Sequence, residues 1–292
     1  MLHGGREQPR RGALDPCRVP QLSPAMSPRV SMSQITSLRR PFAEDVVAFA
    51  TAGCKAIGVA VRKLDDLGLA AARHLLRDAG LEVACLTSSG AFPLTDADGV
   101  QRALDRTRGH LHAAAELRAS CLFVLPGIAP RWSWEESAAA TRPLLERLLP
   151  EAERCGVRLV LEPVSQLRVD LGFLHSFDEA LDYADSFGTP WLGVVLELNN
   201  AWIERRLYDN IAQRTDRIGI VQVSDWKLGT LTASERVVIG DGDIPLRRIC
   251  AALVAAGYDG WYDIELLGSA IEAEGYDAVV PRALARFAEL WT

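Results

Sequence analysis

The sequence predicts a single-domain (β/α)8 TIM barrel behind a flexible N-terminal extension. Three observations predict it. Short β-rich apolar runs alternate eight times with longer helical patterns. The strand runs are apolar on both faces, as in a parallel sheet covered by helices. The repeating part, residues 29–292, is close to the ~250 residues of one closed barrel and fits it better than an open sheet with a second domain.

The elements follow in order. RVSMSQI (29–35) reads as a strand and FAEDVVAFATAG (42–53) as a helix stopped by Gly53. AIGVAV (56–61) and LAAARHLLRDAG (69–80) repeat the pair, with Gly80 as the stop. LEVACL (81–86) is the third strand, followed by a helix over 98–118. CLFVLPG (121–127) precedes a helix over 134–156 that contains two prolines. VRLVLEP (157–163) precedes SFDEALDYADSFG (176–188), where Ser176 suits an N-cap. WLGVVLEL (191–198) precedes a helix over 203–214, IGIVQVSD (218–225) one over 246–257, and WYDIELL (261–267) one over 275–290. No GxGxxG or GxxxxGK[ST] follows a strand, so neither a dinucleotide nor a P-loop reading has support.

Composition narrows the function. The chain has 292 residues, 49% apolar, 24% charged, with a formal net charge of -6. That is enough apolar material for a large core, and the acidity argues against a nucleic-acid partner. No apolar run reaches the ~20 residues of a membrane helix. The cysteines at 17, 54, 85, 121, 155 and 250 form no CxxC pair, which suits a reduced, cytoplasmic protein. Residues 1–28 are rich in Pro, Gly and Arg, lack periodicity and lack the apolar stretch of a signal peptide, so they read as a disordered or flexible extension.

In this fold chemistry gathers at the C-terminal ends of the strands. Glu162 ends the fifth strand, Glu197 the sixth and Glu265 the eighth, and Gln222 sits in the seventh. Three carboxylates in one dry mouth need a counter-charge or a proton. A divalent cation bound through oxygen would supply the first, with Mg²⁺ or Mn²⁺ favoured over Zn²⁺. Raised pKa values suited to acid–base work would supply the second.

Loop residues near those ends are candidates for substrate binding: Lys63 after the second strand, His175 in the fifth loop, Asn199, Asn200 and Trp202 in the sixth, and Asp225, Trp226 and Lys227 in the seventh. Trp132 and Trp134 fall in the fourth loop, and SSGAFP (88–93) reads as a flexible rim. His110 and His112, mid-helix, read as structural or solvent-facing.

With these residues the sequence resembles the xylose-isomerase-like TIM barrels of the sugar-phosphate isomerase/epimerase family, over residues 29–291. The matching pieces are LVLEP with Glu162, LGVVLELNNAW, IVQVSDW, IGDGDIPLRRI and AAGYDGWYDIE with Glu265. The resemblance implies a divalent metal held by Glu, Asp, His and Glu. Glu162 and Glu265 match the first and last. Glu197 stands at the Asp position, Gln222 at the His position, and Asn200 where a further His is common. It also implies glutamate acid–base chemistry at Glu162 and Glu265, moving a proton beside a carbonyl or hydroxyl of a polyhydroxylated or cyclic oxygenated small molecule. The outcome would be isomerisation, epimerisation or, as in a lyase, dehydration. The departures keep two alternatives open: a metal-free barrel that isomerises or cyclises an apolar natural-product-like substrate, and a non-catalytic binding protein. A homo-oligomer is left open.

Overall fold

A computed structural model describes residues 22–23, 28–129 and 131–292. The expected extension over 1–28 lies outside the described residues apart from Leu22, Ser23 and Pro28, and Leu22 is buried against the core.

Among the described residues the strands are β1 (Arg29–Ser33), β2 (Ala56–Ala60), β3 (Glu82–Thr87), β4 (Ala91–Pro93), β5 (Cys121–Ile128), β6 (Arg158–Leu161), β7 (Leu192–Glu197), β8 (Ile218–Val223) and β9 (Trp261–Ile264). Every pairing is parallel. The order β3-β2-β1-β9-β8-β7-β6-β5 closes on itself through β3–β5, with Cys85 opposite Cys121 and Leu86 opposite Leu122. This is the predicted eight-stranded barrel. The short β4 is additional: it pairs with β5 outside the ring. It lies in the segment 88–93, read from the sequence as a rim, in which Phe92 is fully buried.

The helices are α1 (Phe42–Thr51), α2 (Val61–Leu67), α3 (Leu69–Ala79), α4 (Ala97–Glu116), α5 (Trp134–Cys155), α6 (Phe177–Asp185), α7 (Leu198–Ala201), α8 (Leu207–Arg214), α9 (Leu246–Ala255), α10 (Ser269–Glu274) and α11 (Tyr276–Glu289). Ser176 caps α6 as expected, accepting from Glu179 N at 3.1 Å. Pro143 and Pro150 lie inside α5, whose start is fixed by a capping box of Ser133 and Glu136. β1 ends earlier than expected: Ser33 Oγ accepts from Ile35 N at 3.3 Å and turns Gln34–Ser37 into a 3-10 helix. No described helix is long and apolar enough to cross a membrane.

The two-residue alternation of each strand points every second side chain into the barrel. Phe123, Val160, Val195, Ile220 and Trp261 fill that interior with Ala56, Ala84, Cys85 and Cys121. Two residues beyond Val160, Val195, Ile220 and Asp263 come Glu162, Glu197, Gln222 and Glu265. The packed interior layer is thus the floor beneath the predicted site.

Asp263 is the polar exception in that floor. It is fully buried, accepts from Ser31 Oγ at 2.6 Å and lies 3.9 Å from Cys85 Sγ. A Cβ on Gly58 would stand 2.6 Å from its carboxylate, so the facing strand has no side chain there. Burial pushes its pKa up to about 7, against the Ser31 hydrogen bond and with help from the Glu265 charge. A raised acid stabilises the fold in its protonated form, and that contribution is lost as pH rises from the unfolded value (~3.9) through about 7. Asp263→Asn is therefore expected to be more stable than wild type above pH 7, by on the order of a few kcal/mol, and nearly equal to it at pH 4. Urea denaturation at both pH values checks this; a pH-independent difference would refute it.

Candidate active site at the barrel mouth

Glu162, Glu197, Gln222 and Glu265 all lie at the C-terminal end of the barrel, where the strand pattern put them. Their environments differ. The side chain of Glu197, at the end of β7, caps the short α7: one oxygen accepts from Asn199 N at 3.0 Å, the other from Asn200 N at 3.1 Å. Both oxygens of Glu265 are also engaged. Oε1 accepts from Gln222 Nε2 at 2.9 Å, and Oε2 is paired with the guanidinium of Arg236. Glu162 alone of the three makes no side-chain hydrogen bond to the described protein. Burial, then the negative charges of Glu265 and Glu197, push its pKa up to about 8, with Arg236 opposing. Burial likewise raises Glu197, again opposed by Arg236.

Arg236 is the residue that the sequence reading missed. It lies in the irregular segment between β8 and α9, is 7% exposed, and sits 3.7 Å from Glu197 while paired with Glu265. Its Nη1 also donates to the Glu265 carbonyl at 3.2 Å, and its own N–H donates to Leu267 O at 2.8 Å. Glu197 and Glu265 raise its pKa further, more than offsetting its burial. The available signal was chemical: three glutamates converging without a cation, and one arginine heading the apolar RVVIG run.

Asp225 delivers that arginine. Its carboxylate accepts from Trp226 N at 2.9 Å, Gly240 N at 2.9 Å and Ile244 N at 3.0 Å, and its backbone forms a two-way bridge with Val237. A Cβ on Gly242 would lie 2.4 Å from Asp225 Oδ1, which explains the second glycine of IGDGD. Asp225 thus holds the loop, and it is not among the residues that line the mouth cavity.

Glu162, Glu265 and Arg236 line a cavity of about 280 Å³ with Asn200, Thr87, Ser88, Ser165, Arg168 and Ser234. Ile35, Phe123, Leu125, Val164, Leu171, Ala233 and Leu267 complete its walls. Asn200 is the one expected substrate-binding residue among them. The others go elsewhere. Lys63 turns inward and pairs with Asp45 at 2.6 Å, both buried. His175 braces its own loop, Nδ1 against Val164 O at 3.1 Å. Trp202 and Trp226 pack against each other, centroids 6.4 Å apart, and against the core. Asn199 is buried, with Oδ1 unpartnered, and Lys227 is exposed on its loop. Trp134 packs edge-on against Phe173 and Tyr183. His110 is structural as expected, bridging Ser89 at 2.8 Å and Asp65 at 3.2 Å.

The mouth does not fit the divalent ion that the resemblance implies. Among the described residues, the three glutamates form no set of ligand atoms within 4.8 Å of one another; the group that does is His112, Glu151 and Cys155, on α4 and α5. Glu197 and Glu265 have both oxygens engaged, which leaves Glu162 and the unpartnered Gln222 Oε1 as free oxygens. A guanidinium stands among them. At 4 Å a dication would be repelled by it by ~8 kcal/mol at an effective dielectric of ~20.

The comparisons agree on the fold. A Sinorhizobium meliloti 1021 protein of known structure is 26% identical, with a TM-score of 0.82 over 89% of this chain and 98% of that one. The IolI protein, crystallised with a bound zinc atom, is 18% identical, with a TM-score of 0.79 over 90% of this chain and 98% of that one. The D-allulose 3-epimerase of a Methylomonas species is 19% identical, with a TM-score of 0.72 over 93% and 99%. No curated protein matches the sequence significantly. The sequence model of the xylose isomerase-like TIM barrels matches residues 46–285, well over half of the chain, and the protein belongs to that family.

Proposed function

We propose that the protein is an isomerase or epimerase that moves a proton at a carbon beside a carbonyl or hydroxyl of a small oxygenated molecule. One observation carries the reading: the Glu162 carboxyl faces a closed-floored cavity with no hydrogen bond from the described residues, while the other two glutamates are tied down. A catalytic acid–base group needs a pKa near the working pH and freedom to meet substrate. Glu162 has both. Similarity to sugar 3-epimerases supports the same class.

In this reading Glu162 takes the proton from carbon. The Arg236 guanidinium is preorganised to stabilise the oxygen on which charge develops. Asn200 at the rim holds a hydroxyl. Glu162 then carries that proton and returns it to carbon, while Glu265 stays the ionised partner that holds Arg236 at the cavity wall. The apolar walls exclude water from the carbanion-like intermediate. The cavity is at the small end of ligand pockets (~300 Å³ upward), which suits a single ring or short chain. Its apolar walls also favour a second reading, in which the substrate is a compact ring with few hydroxyls.

The test is hydrogen exchange in D2O, followed by proton NMR on a panel of ketoses including D-fructose and D-allulose. Wild type is expected to wash deuterium into the carbon beside the carbonyl, and Glu162→Gln to lose that exchange. Exchange equally fast in the variant would overturn the assignment.

A further inference from the structure

The geometry points to an internal cation: the Arg236 guanidinium stands in place of a divalent metal and makes the mouth of this barrel metal-independent. A cation at a carboxylate cluster has two structural tasks. It offsets mutual repulsion, and it fixes the orientation of each carboxylate. Both are already done here by the chain itself. Arg236 pairs with Glu265 and lies 3.7 Å from Glu197. Gln222 turns its amide N–H, not its oxygen, toward Glu265. Two backbone N–H groups of α7 orient Glu197.

The arginine is also built into place. Its segment is clamped by the Asp225 carboxylate and the Val237 bridge below, and by the Leu267 carbonyl beside it. The side chain is buried, as a resident group would be. The substitutions at the Asp and His positions belong to the same arrangement. Glu197 is long enough to cap α7, and Gln222 donates its amide N–H to Glu265. This inference does not depend on which proton Glu162 moves.

A gain of function follows. With the guanidinium removed, the oxygens of Glu162, Glu197 and Glu265 and the unpartnered Oε1 of Gln222 lose the cation that holds them in their present places and become free to close into an all-oxygen set of the kind hard cations take. The probe is Mn²⁺ alone, followed by electron paramagnetic resonance and by thermal midpoint with and without EDTA. Cys155→Ala serves as background, because it removes the separate His112–Glu151–Cys155 group. The background protein is expected to take up no Mn²⁺ at micromolar concentrations, and EDTA to leave its midpoint unchanged. Adding Arg236→Gln is expected to create about one Mn²⁺ site, lost again when Glu265→Gln is added. Arg236→Lys, which keeps the charge, is expected to keep the ion out. Stoichiometric Mn²⁺ on the arginine-containing background, abolished by Glu265→Gln, would overturn the proposal whether or not Arg236→Gln folds. A folded Arg236→Gln protein that still takes up no ion would overturn it as well.

Discussion

Glu162→Gln is expected to lower kcat/KM by about 10²–10⁴-fold, the usual contribution of a positioned acid–base group, and to leave the fold intact. The pH profile makes the expectation specific. The groups that set the Glu162 pKa are Glu265, Glu197 and Arg236: burial and the two carboxylates push it to about 8, and the guanidinium acts against them. A carboxyl raised that far is mostly protonated at neutral pH, so a reaction that begins with Glu162 as base should accelerate as pH rises through about 8. The variant should lose this limb along with its rate. Stability should move the other way. Ionised Glu162 is costly in the native state, and its stabilising protonated form is lost as pH rises from its ordinary 4.5 through about 8. The glutamine variant should therefore resist urea better than wild type at pH 9 while being far slower. A variant that keeps the limb near pH 8, or that loses activity only by unfolding, would exclude Glu162 as the base.

What was legible in the sequence divides along physical lines. The barrel was legible because both signals are periodic: apolar strands with a repeat of two and helices with a repeat near 3.6. Glu162, Glu197, Gln222 and Glu265 were legible for the same reason, each lying two residues beyond an inward-facing neighbour on a strand whose end marks the mouth. Arg236 was not. It rides on a segment without periodicity, and its position is set by hydrogen bonds to Asp225 and Leu267 that are tertiary. The tryptophans were not decided by the sequence, because composition cannot tell a wall of a cavity from loop packing; Trp202 and Trp226 pack against each other and against the core. The second strand illustrates the limit best. VAVRKL reads as a strand followed by a free cation, yet α2 starts directly at Val61 and rolls the third residue inward.

That residue, Lys63, carries the largest stability effect expected in the molecule. Its ammonium is 5% exposed and donates to Asp45 Oδ2 at 2.6 Å, Ser37 O at 2.7 Å and Gln34 O at 3.0 Å. Asp45 is fully buried and also accepts from Ser37 Oγ at 2.6 Å and Gln34 Nε2 at 3.2 Å, while Gln34 Oε1 accepts from Ala60 N at 3.1 Å. The network thus ties the 3-10 helix after β1 to β2, α1 and α2 under one rim of the barrel. Burial raises the Asp45 pKa and lowers that of Lys63, so each charge is tolerated chiefly because of the other. Lys63→Met leaves the carboxylate buried without its cation and should cost about 3–5 kcal/mol. For a domain of this size that is a fall in thermal midpoint of about 6–20 °C. The loss should be smallest at low pH, where the orphaned Asp45 can take a proton. Asp45→Leu combined with Lys63→Met should recover much of the stability, because a well-packed apolar pair needs no compensation. Calorimetry on the two single variants and the double variant gives the coupling directly. A Lys63→Met protein as stable as wild type, or a double variant no better than the sum of the singles, would show that the pair does not hold this corner of the barrel.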